Sequence, residues 1–75
     1  MAVIVYTNPN CVQCEQTKKF LDKEHIEYTV ENLQDPNNYN KLVEFVEQGF
    51  KSAPIVVTDK ETWSGYKPDK LGAIK

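Results

Sequence analysis

Val3-Ile4-Val5-Tyr6-Thr7-Asn8-Pro9-Asn10-Cys11-Val12-Gln13-Cys14 carries three readings in succession, and the rest of the chain follows from them. Val3 to Tyr6 is a continuous β-branched and aromatic run, the pattern of a strand buried on both faces inside an α/β sheet. Thr7 to Asn10 is turn chemistry, and Pro9 stops the strand. From Val12 to about Glu24 the residues favour helix. Cys14, Thr17, Phe20 and Leu21 fall on one face, and Glu15 with Lys18 and Lys19 adds i,i+3 and i,i+4 ion pairing. The helix begins at Cys11. Two cysteines three residues apart thus stand where a strand hands over to a helix.

Downstream, Ile26, Tyr28 and Val30 alternate with Glu27, Thr29 and Glu31, which predicts a strand nearer a sheet edge with one polar face. Asp35-Pro36 reads as a helix start, with Asp capping and Pro in the first turn. Tyr39, Leu42, Val43 and Val46 continue it as an amphipathic helix to about Gln48, and Gly49 is its stop. Ile55 to Thr58 predicts a second buried strand. Asp59-Lys60 is a two-residue hairpin turn, a poor one because Lys disfavours positive φ. Glu61-Thr62-Trp63 is the partner strand, Ser64-Gly65-Tyr66 a loop, and Pro68 opens a short last helix carrying Leu71 and Ile74. The expected order is β-α-β-α-β-β-α, an α/β fold with three helices, over a single domain spanning residues 1–75.

Composition narrows the function. With 75 residues, 40% of them apolar, the chain builds one small core. Its 27% charged residues balance to a net charge of −2, and the nine cationic residues are all Lys. Without Arg there is no planar fork for phosphate or guanine, and no basic face stands out, so nucleic acid is not an expected partner. The apolar run ending at Tyr6 is too short to cross a bilayer or to serve as a signal-peptide core, which leaves a soluble cytoplasmic protein as the expectation. Nothing in the sequence offers a large apolar face for a dimer, and a monomer is expected.

Cys11 and Cys14 hold the chemistry. Their bridge closes a loop too short to staple a fold, so stability does not explain the pair. On a helix, residues i and i+3 have Cβ atoms about 5–6 Å apart, which suits a disulfide that opens and closes with little backbone change. The first helical turn has unpaired N–H groups and the positive end of the helix dipole. A thiolate at Cys11 is favoured there, with a pKa below the free value of about 8.5. Cys11 is therefore the expected nucleophile. Cys14, one turn inside, is the resolving thiol, which keeps its proton until it is needed. No bound cofactor is required beyond this disulfide. A zinc site needs four ligands. The single His25 lies eleven residues past Cys14, about 16 Å along a helix axis, too far to join the cysteines. A metal shared between two chains stays open as a reading.

Two further features touch the site. Ala53-Pro54 precedes a buried strand that the fold order places opposite the Cys11 loop. The bond is expected to be cis, leaving the Ala53 backbone free to pair with an extended substrate segment. Trp63 and Tyr66 are candidate substrate contacts, with core filling as the other reading of each ring.

The two segments Thr7-Asn8-Pro9-Asn10-Cys11-Val12-Gln13-Cys14 and Trp63-Ser64-Gly65-Tyr66-Lys67-Pro68-Asp69-Lys70-Leu71 closely resemble the NrdH-redoxins, glutaredoxin-like members of the thioredoxin superfamily, and the resemblance spans essentially the whole chain. It implies a thioredoxin/glutaredoxin-like fold with a four-stranded mixed sheet. The implied activity is that of a dithiol-disulfide oxidoreductase. Its electrons come from NADPH through thioredoxin reductase and pass to class Ib ribonucleotide reductase, with poor use of glutathione. It also implies that Thr7 and Gln13 tune the site. Asn8, Tyr66 and Lys67 depart from the Lys, Phe and Arg common in that family. Losing a cation near Cys11 bears on its pKa, and Lys67 gives up a planar fork. A glutathione-dependent glutaredoxin is the alternative, and an iron–sulfur or metal carrier dimerising across the Cys11 ends is a more distant one.

Overall fold

In the computed structural model, which describes residues 3–74, the elements run β1 (Ile4–Thr7), α1 (Val12–Lys23), β2 (Thr29–Asn32), a 3₁₀ turn (Pro36–Asn38), α2 (Tyr39–Glu47), β3 (Ile55–Val57), β4 (Thr62–Ser64) and α3 (Pro68–Gly72). The ends of the expected 1–75 domain lie outside the described residues. The four strands form one sheet in the order β2-β1-β3-β4. β1 pairs parallel with β2 and antiparallel with β3, and β3 pairs antiparallel with β4. The chain thus has the thioredoxin-like architecture, a mixed sheet with three helices.

The sheet separates two apolar clusters, because successive strand residues point to opposite faces. On one face Val3, Val5, Val56 and Trp63 pack with Leu21 of α1, Leu71 of α3 and Ile74. On the other, Tyr6 and Ile55 pack with Leu33 and Phe45 of α2. Tyr6 and Phe45 meet edge to face at 4.9 Å, and Phe45 meets Phe50 at 6.4 Å, contacts worth about 0.5–1.5 kcal/mol each beyond area burial. Val5 and Val56, paired across the central strands, are fully buried. This is the inner pair that a continuous β-branched run demands.

α1 and α2 end alike. His25 follows the C-cap of α1 with φ 57°. Its N–H donates to Asp22 O at 3.1 Å, and the next N–H, of Ile26, donates to Leu21 O at 2.9 Å. Gly49 repeats this after α2 with φ 92°: its N–H reaches Val46 O at 3.0 Å and that of Phe50 reaches Phe45 O at 2.9 Å. Both are Schellman motifs, and the second is closed by the Phe45–Phe50 ring contact across the turn. His25 is therefore a helix terminator, far from either cysteine.

Two elements differ from the sequence reading. The second strand starts at Thr29 rather than Ile26, because a strand extends only where a partner offers its ladder. β1 does so from Ile4, and the pairing opens with Thr29 N–H on Val3 O at 2.9 Å. Ile26 and Tyr28 pack against the core from the connection instead. The helix expected from Pro36 is a 3₁₀ turn before it becomes α-helical at Tyr39. Asp35 Oδ1 caps that turn by accepting from Asn37 N–H at 2.9 Å. The Asp59-Lys60 hairpin does form in the expected register, and neither residue adopts positive φ. The Thr58 hydroxyl supports it, accepting from the N–H groups of Lys60 and Glu61 at 3.3 and 3.1 Å.

Candidate active site

β1 and the Asn8–Asn10 loop deliver Cys11 to the start of α1. Asn10 takes φ 58°, a left-handed conformation that Asn tolerates better than most side chains. The turn leaves Cys11 as the N-cap, with φ −107° and ψ 107°. Its Sγ occupies the place usually held by a capping oxygen, accepting the Cys14 N–H at 3.1 Å. The sulfur thus sits on an orphan donor of the first turn, at the positive end of the helix dipole. Both features favour the thiolate once the disulfide opens.

Cys11 and Cys14 are joined in a disulfide with Cα atoms 5.2 Å apart. Their accessibilities differ. Cys11 is partly exposed, whereas Cys14 is 1% exposed. Cys11 is thus the one of the pair open to an approaching sulfur. Val12, between them, is 73% exposed, so the tip of the site is an apolar side chain standing in solvent. Thr17, fully buried one turn below Cys14, donates its hydroxyl to Gln13 O at 2.9 Å, which satisfies that buried hydroxyl.

The second wall comes from β3 and β4. The Ala53–Pro54 bond is cis and Pro54 is buried. Carrying the β1–β3 register one step past Tyr6–Ile55 sets Pro54 beside Thr7, and the β3–β4 register sets it beside Gly65. The latter pairing is completed by Gly65 N–H on Pro54 O at 2.8 Å. The next N–H, of Tyr66, donates to Gln13 Oε1 at 2.9 Å. Cysteine turn, Pro54 strand and Ser64–Tyr66 loop are so tied into one surface.

The other candidate residues lie as follows. Thr7 ends β1 with its hydroxyl turned to β2, donating to Glu31 O at 3.4 Å. Trp63 is not brought to the surface. Only 3% exposed, it packs beside Val56 and Leu71, with the Lys70 ammonium 5.8 Å from its ring centroid. It follows the core-filling reading because β4 directs it to the face that α3 covers. Tyr66 is half-buried against the same cluster and meets the site through its main-chain N–H. Ala53 is half-buried against the Tyr6–Phe45 cluster.

Gly65 and Asn10 were not singled out from sequence. Gly65 holds φ 88°, and a Cβ there would stand 3.4 Å from Gln13 Oε1. The Ser-Gly pair ahead of Tyr66 is the sequence sign of that need. Among the described residues, no group of three His, Cys, Asp or Glu is arranged to hold a metal, and no helix is long and apolar enough to cross a membrane.

A disulfide between cysteines three residues apart at a helix N-terminus, on a sheet of this topology, defines a thiol–disulfide protein of the thioredoxin-like class. The glutaredoxin family profile matches residues 3–63. A glutaredoxin-like protein NrdH of Lactococcus lactis is 32% identical over 72 residues, covering 96% of this chain and 97% of its own. A gene 56 protein of Mycobacterium phage D29 is 36% identical over 73 residues, covering 96% of this chain and 80% of its own. The solved NrdH-redoxin of Escherichia coli, a glutaredoxin-like protein described as having a thioredoxin-like activity profile, superposes with a TM-score of 0.88 at 27% identity, over 100% of this chain and 96% of that one. The chain belongs to the glutaredoxin family, among its NrdH-redoxins, and is a glutaredoxin-like oxidoreductase with a redox-active disulfide.

Proposed function

We propose that this chain carries electrons from NADPH, by way of thioredoxin reductase, to class Ib ribonucleotide reductase and so serves deoxyribonucleotide synthesis. It would do so in the cytoplasm, as a monomer of one domain, with no bound cofactor. The observation that carries the chemistry is the Sγ of partly exposed Cys11 on the Cys14 N–H, with Cys14 buried one turn behind. The naming of its relatives as NrdH proteins and the thioredoxin-like profile of the Escherichia coli redoxin support the choice of partners.

The cycle runs as follows. Cys11 thiolate attacks one sulfur of the target disulfide, and the other target sulfur leaves and takes a proton. Cys14 then gives up its proton and attacks Cys11 Sγ, breaking the mixed disulfide. The target leaves as a dithiol, reduced by two electrons, and Cys11–Cys14 is oxidised. The reductase returns the two electrons. Thr7, Gln13, Ala53, Pro54 and Tyr66 form or brace the surface beside Cys11, where the Ala53 backbone would pair with an extended target segment. Trp63 contributes from beneath by fixing β4.

Insulin reduction driven by NADPH and thioredoxin reductase tests the reading. Robust turnover, together with reduction of a class Ib ribonucleotide reductase, is expected. Failure with thioredoxin reductase alongside vigorous glutathione-driven turnover would instead make the chain a glutathione-dependent glutaredoxin. Stoichiometric metal at one per two chains would make it a carrier.

A further inference from the structure

Gln13 lies between the two cysteines on the exposed side of α1, yet its side-chain oxygen is spent inside the chain. Oε1 accepts the Tyr66 N–H at 2.9 Å, a bond between residues 53 apart in sequence. The preceding N–H, of Gly65, is committed to Pro54 O at 2.8 Å. Glycine at 65 supplies the φ of 88° that this turn takes, and a Cβ there would stand 3.4 Å from the same Oε1, an ordinary contact. Two consecutive main-chain donors thus sit beside the redox turn with both hydrogen bonds used.

The consequence falls on the reductant. A protein reductant is held by its own surface. A small thiol must be held by its own polar groups, and a peptide thiol such as glutathione offers two carboxylates. Free main-chain N–H groups beside the redox turn would be strong partners for a carboxylate. We propose that Gln13 is a specificity-determining residue: by engaging the Tyr66 N–H it denies a carboxylate-bearing small thiol a main-chain donor beside the redox turn. This rests on the dithiol-disulfide reading given above. The step affected is the first of glutathione reduction. A glutathione thiolate attacks Cys11 Sγ, and Cys14 sulfur leaves and takes a proton. A second glutathione thiolate then attacks the glutathione sulfur, which gives oxidised glutathione and reduced Cys11. Two thiols are oxidised and one protein disulfide is reduced.

The test compares wild type, Gln13→Ala and Gln13→Glu, the last keeping an acceptor oxygen. Amide exchange at Tyr66, followed by NMR, reports the hydrogen bond. Rates of disulfide reduction by glutathione and by 2-mercaptoethanol, which has no carboxylate, report selectivity. In Gln13→Ala, Tyr66 exchange is expected to quicken. The glutathione rate relative to that of 2-mercaptoethanol is expected to rise about fivefold, the worth of one regained donor. Gln13→Glu should keep Tyr66 protected, with a ratio no higher than wild type. An unchanged ratio in Gln13→Ala despite a freed amide would overturn the proposal. So would an equal gain with both thiols, or a Tyr66 amide that exchanges as fast in wild type as in Gln13→Ala. If thioredoxin reductase fails to reduce the wild-type chain, the choice of electron source falls while this ratio still stands or falls by itself.

Discussion

Cys11 and Cys14 are the same residue type three positions apart, and only their surroundings give them different work. Cys11 caps the helix at a partly exposed position, and Cys14 is 1% exposed. Cys14→Ser is therefore expected to accumulate a mixed disulfide with a target protein through Cys11, and Cys11→Ser to accumulate none. Non-reducing electrophoresis and mass spectrometry read the outcome, and trapping by Cys11→Ser would reverse the roles. The placing of the pair at a helix start was open to sequence reading, since a strand, a turn and a helix start are local patterns. The bond from Tyr66 to Gln13 was not, because nothing in either segment announces a partner 53 residues away. Tyr6 gives a pH prediction. Burial, then the charges of Glu31 and Glu44, raise its pKa. A folded-state pKa above the unfolded value of about 10 means its contribution to stability is full below that pH and is lost as pH rises through the raised value. Tyr6→Phe should thus show a shallower loss of stability above about pH 10 than wild type, measured by urea unfolding across that range. An identical alkaline limb would contradict it.

The ends of α1 and α2 share one hydrogen-bonding scheme but use different residues in the left-handed position. His25 bears a Cβ where φ is 57°, and Gly49 does not where φ is 92°. His25→Gly should stabilise the protein by about 0.5–1 kcal/mol, the strain relieved less the extra freedom of the unfolded chain. Gly49→Ala should cost about 1 kcal/mol, and it isolates the backbone effect because nothing lies within 4 Å of the added Cβ. Urea denaturation with unchanged slope checks both, and changes of the opposite sign would refute the cap assignment. Gly49 was legible as a stop, since glycine after an amphipathic run has that meaning. His25 was not, because a histidine past a helix end carries no such mark. The shifted start of β2 has the same origin: Ile26, Tyr28 and Val30 alternate as a strand should, but pairing begins where β1 supplies partners.

At the scale of the molecule, the sheet divides the apolar residues into two clusters, and the redox turn sits above the ends of β1, β3 and β4. The class of fold could be read from the alternation of patterns. The order β2-β1-β3-β4 could not, since non-local pairing leaves no local trace. Trp63 shows the same limit. Its short strand was recognisable, but whether its ring served site or core depended on α3 closing over it. Phe45 anchors the cluster on the α2 face, 4% exposed and in ring contact with Tyr6 and Phe50. Phe45→Ala should cost about 3–5 kcal/mol, a large share of the roughly 5–15 kcal/mol typical of a domain. It should lower the thermal midpoint accordingly, while a shift of only a degree or two would show that α2 is not held by this side chain.

The central claim concerns the sulfur of Cys11, carried by the first free N–H groups of a helix. Its most direct measure is the rate of iodoacetamide alkylation of Cys11 against pH in the fully reduced protein, with the labelled residue identified by mass. The account predicts a midpoint clearly below the free-thiol value of about 8.5, with Cys14 unlabelled. A midpoint at or above that value, or labelling shared equally between the two cysteines, would contradict it.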